Sequence, residues 1–376
     1  MRRLSLAVLS LAAFVLPAFA SSGYIYRRAI TVAAAVVPAT QTNFPMLVSG
    51  TYSFLATFPN GGMIHNTVTV NSQSVPADLI FTSDAAGTIK LNWEIASYTA
   101  ATGAIEAWVQ VPSISNGTVI YMFYSNISVT TYQSTVANVW SGYGGVWHLA
   151  NGTTLSLVDS SGTGNGLTNY NATPTAGIID GAASFPGTSA GLYGAAGTGI
   201  DSLTTTTYSV WIKPSALTNS SSSNLILING GIEYYMTSGG AGTIVGSVGT
   251  SITFRTATSS TALTIGNWQY VVMTYTNPNA PRIFINGAEV SYASQVNGSG
   301  TDAYNTGGAV GTNAAFAGNN QFKGAMDEAR ISSVARAPSW IMTEYNNQSS
   351  PSTFYAIGSP TSMAGTGGTS IRAIIM

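Results

Sequence analysis

The sequence contains no cysteine. Disulfides, thiol nucleophiles, cysteine-based zinc sites and iron–sulfur clusters are therefore excluded, and stability has to come from sheet packing or a bound ion. Charge of either sign is scarce. Only 7% of residues are charged, against about 25% in ordinary soluble domains, and the net charge is −1. With so few basic residues there is no electrostatic footprint for nucleic acid. Histidine is almost missing: His65 and His148 lie far apart, and neither sits in a nucleophile motif. That argues against a Ser-His-Asp triad and against a catalytic zinc. Long apolar runs are also lacking. Stretches such as Ala29 to Pro38 are broken by Thr or Pro, and Ile371 to Met376 is far short of the roughly 20 residues a membrane helix needs.

What is present begins with an export pattern. Arg2 and Arg3 give a positive start, Leu4 to Leu16 form a short apolar run, and Ala18-Phe19-Ala20 fits the small-x-small cleavage rule. Residues 1–20 are expected to be a signal peptide removed after Ala20, which places the protein outside the cell or on its surface. Hydrophobic residues make up 45% of the chain, too many for a disordered polyelectrolyte. The surface must therefore be dressed in Ser, Thr, Asn, Gly and Tyr.

Helical periodicity is nearly absent and strand signals recur. Ile105 to Val111 alternates and Pro112 stops it; Asn116-Gly117 is a turn signal before Thr118 to Tyr124. Short strands separated by Gly, Asn, Pro and Ser predict an all-β chain of two β-sandwich domains. The first is expected over 21–135, a linker over 136–145 around Trp140 to Gly145, the second domain over 146–359, and a Gly/Thr/Ser-rich flexible tail over 360–376. The two halves are expected to fold independently. The clearest hairpin turns at Asn286-Gly287, a pair suited to a type I′ turn. One short helix is expected over Pro338 to Tyr345, with proline near its start.

Several segments of the second half, taken in order, carry a resemblance. They are Trp147-His148-Leu149, Asp159 to Gly166, Asp180 to Gly187, Tyr208 to Pro214, Trp268 to Val272, the hairpin Ile283 to Val290, and Phe322 to Ile331. Together they resemble the concanavalin A-like lectin/glucanase superfamily, in its laminin-G-like branch common in bacterial surface proteins, which implies a jelly roll. The first half, through Tyr26 to Thr31, Asn43 to Val48, Trp93 to Ile95, Ala107 to Pro112 and Tyr121 to Asn126, is similar to a secreted domain of unknown function that commonly precedes such jelly rolls. It departs from that pattern at Met63-Ile64-His65-Asn66, where a charged strand is expected.

Some members of the superfamily are glucanases, and a retaining glycosidase needs two carboxylates about 5 Å apart. The resemblance implies them as Glu-x-Asp-x-x-Glu on one strand, and this sequence has no Glu-x-Asp. A non-catalytic protein is therefore expected. The resemblance also implies one structural Ca2+ at the sandwich edge, held by oxygen ligands. Asp327 is the first candidate ligand, because period two puts it on one face with Ala329 and Ile331, where a buried carboxylate needs a partner. That partner is an ion, backbone N–H groups or a buried arginine. Asp159 and Asp180 are further metal candidates, although Asp before Ser-Ser-Gly or Gly is ordinarily turn chemistry. The loop from Gln295 to Gln321 has the make-up of a lectin site, with Asp302, Tyr304, Asn305 and Asn319 as ligand-binding candidates. The function expected is a secreted or surface-associated binding or adhesion module for carbohydrate or another extracellular ligand. The alternatives are a structural spacer and a glycoside hydrolase.

Overall fold

The computed structural model describes residues 23–149, 154–194, 200, 203–217, 242–302, 308–312 and 321–363, with backbone alone at 223–229 and 232–237. Residues 1–20, expected to direct export, and Tyr304, Asn305 and Asn319 lie outside the described residues. Nearly every described element is a strand, in antiparallel sheets. The first sandwich faces a sheet ordered Tyr355–Ile357, Tyr26–Val32, Val119–Tyr124, Leu79–Thr82 against a sheet ordered Gln41–Thr51, Ala104–Ile114, Trp93–Thr99. Alternation in Ala104–Ile114 sends Ile105, Ala107, Val109 and Val111 into the core between them. Trp108 points the other way and is nevertheless fully buried, because a second body packs on that outer face.

That body is a jelly roll of two eight-stranded sheets. Its core joins Trp147, Phe185, Tyr208, Val210, Val271, Met273, Tyr275, Phe322, Met326, Ala329 and Ile331. The expected hairpin forms between Arg282–Ile285 and Ala288–Glu289. Asn286 and Gly287 have φ of 51° and 82°, as a type I′ turn requires. A Cβ at Gly287 would lie 2.9 Å from the Met342 sulfur and 3.1 Å from Tyr345, so a helix can rest directly on the turn.

This helix, Pro338–Ser349, runs four residues beyond the expected end at Tyr345 and is wedged between the sandwiches. On one side Trp340 meets Phe44 edge-on at 5.0 Å, while Asn347 accepts from the Leu47 N–H at 2.6 Å and donates to its carbonyl at 3.0 Å. On the other, Ile341 and Tyr345 cover Trp211, Tyr270, Val272 and Phe284, and Trp211 donates to Gln348 at 2.6 Å. Spacings of three and four residues give one short helix two working faces.

Three boundaries differ from the sequence reading. The segment 136–145 is not a free linker: Val139, Trp140 and Tyr143 are buried with Leu47, Trp108, Val146 and Ile179 in a core shared by both sandwiches. The second domain does not run to 359, because Tyr355–Ile357 pairs with Tyr26–Val32 in the first sheet. The tail does not begin at 360, because Thr361–Ser362 pairs with the same strand and Met363 is buried. The chain returns to its start, so the two sandwiches are tied by covalent and apolar links. Limited proteolysis is accordingly expected to leave one resistant core; early cleavage at 136–145 into two stable fragments would contradict the shared interface. Phe354 is fully buried in the first core, so Phe354→Ala is expected to cost about 3–5 kcal/mol. The check is denaturant unfolding followed by a probe in each half, which should shift together.

Candidate functional site

The strand Lys323–Ser332 carries the first expected metal ligand, and its local geometry overturns the expected face. Its register against Thr205–Pro214 shifts between Ser209, opposite Arg330, and Trp211, opposite Asp327. Glu328 sits at φ 53°, and the extra residue makes a β-bulge. Met326, Ala329 and Ile331 therefore face the jelly-roll core, while Asp327, Glu328 and Arg330 are buried outside it. Asp327 accepts the N–H groups of Ile178 and Ile179, each at 2.9 Å, through one oxygen. Its other oxygen meets no partner among the described residues. Burial and the adjacent Glu328 raise its pKa well above the usual carboxylate range, which favours the neutral acid.

The other acids are placed differently. Asp159 receives the Val146, Ser161 and Asn165 N–H groups at 2.9–3.0 Å and the Ser161 and Thr163 hydroxyls at 2.8 Å. It organises a turn. Asp180 has φ 59°, and burial raises its pKa against the opposing hydrogen bond from Ser97. Among the described residues no three His, Asp or Glu side chains are grouped to hold a metal. A calcium ion prefers six to eight oxygens, and among the described residues Asp327, Asp159 and Asp180 are not grouped to supply them. The melting temperature is thus expected to be the same in calcium and in chelator; a rise in calcium that Asp327→Asn abolishes would reverse this assignment.

Asp302, expected to contact ligand, is instead part of the scaffold. It pairs with Arg255 at 3.0 Å, with both side chains nearly inaccessible. It also accepts from the Tyr275 hydroxyl at 2.6 Å and from the Asn277 amide.

The densest polar constellation lies between the sandwiches. Glu94 and Trp108 are cross-strand partners on the outer face of the first sandwich. Glu94 accepts from the Trp140 indole at 2.7 Å, from the Ser160 hydroxyl at 2.6 Å, and from His148 Nε2 at 3.2 Å. The other nitrogen of His148 meets both oxygens of Glu328, at 2.8 and 3.0 Å. Arg330 then joins Glu328 at 2.6 Å to Glu344 at 2.8 Å, with its guanidinium 4.2 Å from the Trp108 ring centroid and 4.8 Å from that of Trp140. Burial alone would lower the His148 pKa, but Glu328 and Glu94 outweigh it and raise the value to about 10. The ring is an imidazolium that donates from both nitrogens. Glu328 is pushed up by burial and held below its ordinary range by His148 and Arg330.

Chemically this cluster is closed. Every carboxylate oxygen of Glu94 and Glu328 has a donor, and a crevice beside Glu94, His148 and Ser160 encloses only about 20 Å³. That is near the volume one water needs. Sequence reasoning missed the network because its charged members come from four separate segments. The one available signal was the isolation of these charges in a chain with so few.

Open space occurs elsewhere. A groove of about 500 Å³ runs along the outer face of the jelly roll, lined by Thr274, Thr276, Asn279, Arg282, Arg336 and Pro338 among others. The outward side of Gln269–Thr276 supplies the threonines, and the start of the wedged helix closes one end. A second, of about 350 Å³, lies where the C-terminal strand rejoins the first sandwich. It is lined by Arg28, Tyr52, Phe54, Ser352 and Tyr355, with the Arg28 guanidinium 4.0 Å above the Phe54 ring.

Residues 187–342 match the family model described as the concanavalin A-like lectin/glucanases superfamily. No protein of curated function matches the chain. Among solved structures, the chain is similar to the binding domain of Paraclostridial Mosquitocidal Protein 1, at 14% identity and a TM-score of 0.43. That alignment covers 54% of this chain and 51% of that one, about half its length. Domain 4 of AbnA, a GH43 extracellular arabinanase from Geobacillus stearothermophilus, aligns at 22% identity and a TM-score of 0.42, over 54% of this chain and 98% of that one. The botulinum neurotoxin serotype D ligand binding domain aligns at 17% identity and a TM-score of 0.43, over 57% and 53%.

Proposed function

From the premise that residues 187–342 belong to the concanavalin A-like lectin/glucanase superfamily, we propose that the chain is an extracellular module that binds carbohydrate without cleaving it. One contrast carries this reading. Two carboxylates that meet at the seam, Glu94 and Glu328, are sealed in ion pairs with His148, whereas the open groove beside Thr276 and Asn279 offers hydroxyl and amide groups. Such groups suit the hydroxyls of a sugar, and a glycosidase needs two carboxylates flanking the bond it cleaves. The export pattern of residues 1–20 supports a place outside the cell, and no described helix is long and apolar enough to cross a membrane.

A structural spacer is the second reading, favoured by the buried interface that fixes one sandwich to the other. The deciding measurement is a glycan array probed with the full chain lacking residues 1–20, together with reducing-sugar release from whatever is bound. Retention of a glycan class without cleavage is the expected result. An empty array would favour the spacer, and steady release of sugar would establish an enzyme.

A further inference from the structure

The groove on the outer face of the jelly roll gathers two cations in a chain with few charges. The whole sequence has 12 Lys and Arg, yet Arg282 and Arg336 both line this groove and no carboxylate does. We infer that it is a site for an anionic saccharide, with a carboxylate or sulfate group seated on the Arg336 guanidinium. The inference rests on the carbohydrate-binding reading above and names the class of sugar.

Arg336 is held without using up its donors. Its guanidinium lies 4.0 Å from the Trp340 ring centroid and 4.9 Å from that of Tyr143, contacts that fix the plane through its faces. Among the described residues its guanidinium gives one hydrogen bond, to the Ser141 carbonyl, long at 3.4 Å, and its Nε is shielded from water and meets no partner there. A planar fork with free N–H groups matches a carboxylate or sulfate edge. The helix Pro338–Ser349 begins at the same end of the groove. Its N-cap, Ala337, provides no side-chain cap and its first turn has no acidic residue. The positive end of the helix is therefore uncompensated there. Arg282 gives two of its N–H groups to Glu289, which does not line the groove. That pair largely balances its charge, so Arg282 contributes less than Arg336. Thr276 and Asn279, both exposed, remain for the hydroxyls of the same sugar.

The test titrates the chain lacking residues 1–20 with polygalacturonate, heparin and linear arabinan at low and high salt. A polyanion should bind more tightly than arabinan and weaken with salt; preference between the two polyanions separates carboxylate from sulfate recognition. Arg336→Gln should lower polyanion affinity about tenfold or more, the effect of one charge-assisted hydrogen bond. Arg336→Lys, which keeps the charge and loses the fork, should recover only part. Should the Gln variant melt early through loss of its ring contacts, Arg282→Gln on the exposed side decides, with a smaller loss and a reduced salt dependence. Arabinan bound as tightly as either polyanion, with both Gln variants unaffected, would overturn the anionic site and leave carbohydrate binding standing. No binding to any of the three probes would also overturn it, and the glycan array then decides whether carbohydrate recognition itself survives.

Discussion

Arg330→Met is expected to destabilise the folded chain by about 3–5 kcal/mol, the usual cost of removing one member of a buried ion cluster. Against a total stability of about 5–15 kcal/mol, that would leave a substantial unfolded population. Arg330 is fully buried, bonds Glu328 and Glu344, and lies against the Trp108 and Trp140 rings. Methionine fills much of the same volume but leaves two carboxylates facing each other in a low-dielectric seam. The attraction lost is smaller than the desolvation left uncompensated. Glu328→Gln with Glu344→Gln in the Arg330→Met background should therefore restore part of the loss, which a purely steric defect would not allow. Denaturant unfolding of the wild type, single and triple variants supplies the comparison. A single-variant loss below about 1 kcal/mol, the size of an exposed salt bridge, would show that the seam is solvated.

Stability is also expected to fall steeply on the alkaline side. The His148 pKa is raised from its ordinary value, near 6.5, to about 10, because Glu328 and Glu94 outweigh the opposing effect of burial. A group whose folded pKa is raised contributes fully below its unfolded pKa, and the contribution disappears as pH climbs through the folded value. The window thus runs from about pH 6.5 to about pH 10, and the loss is of the order of 3–5 kcal/mol. Glu106 acts in the same direction at lower pH. Burial, aided by Asp180 and Glu328, raises it to about 7 against a hydrogen bond from Ser49, so its contribution fades from about pH 4.5 upward. Glu328 has the opposite sign. Held below its ordinary range by His148 and Arg330 despite burial, it loses its contribution as acid protonates it in the folded state. Maximum stability should accordingly lie on the mildly acidic side of neutral. Thermal melts across pH, for wild type and His148→Gln, test the assignment: the variant should lose most of the alkaline slope. Parallel curves above neutral pH would show that another group controls it.

The sequence by itself determined the features that depend on neighbours along the chain. Asn286-Gly287 could be read as a type I′ turn because few residues adopt positive φ, and both do. Pro338 marked a helix start because its ring suits the first turn and no other position in the helix. Alternation in Ala104–Ile114 identified one buried face. It gave no sign that Trp108 on the opposite face would be buried as well, since a second interface leaves the same pattern as an exposed aromatic. Only the tertiary structure decided the face of Asp327. One extra residue at Glu328 reverses the side-chain order, and a period-two reading has no local mark of where the period breaks. The return of Tyr355–Ile357 to the first strand is likewise a matter of pairing across the whole chain. The same holds for the charged seam. Glu94, His148 and Glu344 each stand among uncharged neighbours in sequence, and only Glu328 and Arg330 share a segment, with Asp327 beside them. They became a network only when folding removed water from around them, because a charge kept from solvent must find its counter-charge wherever the fold brings one.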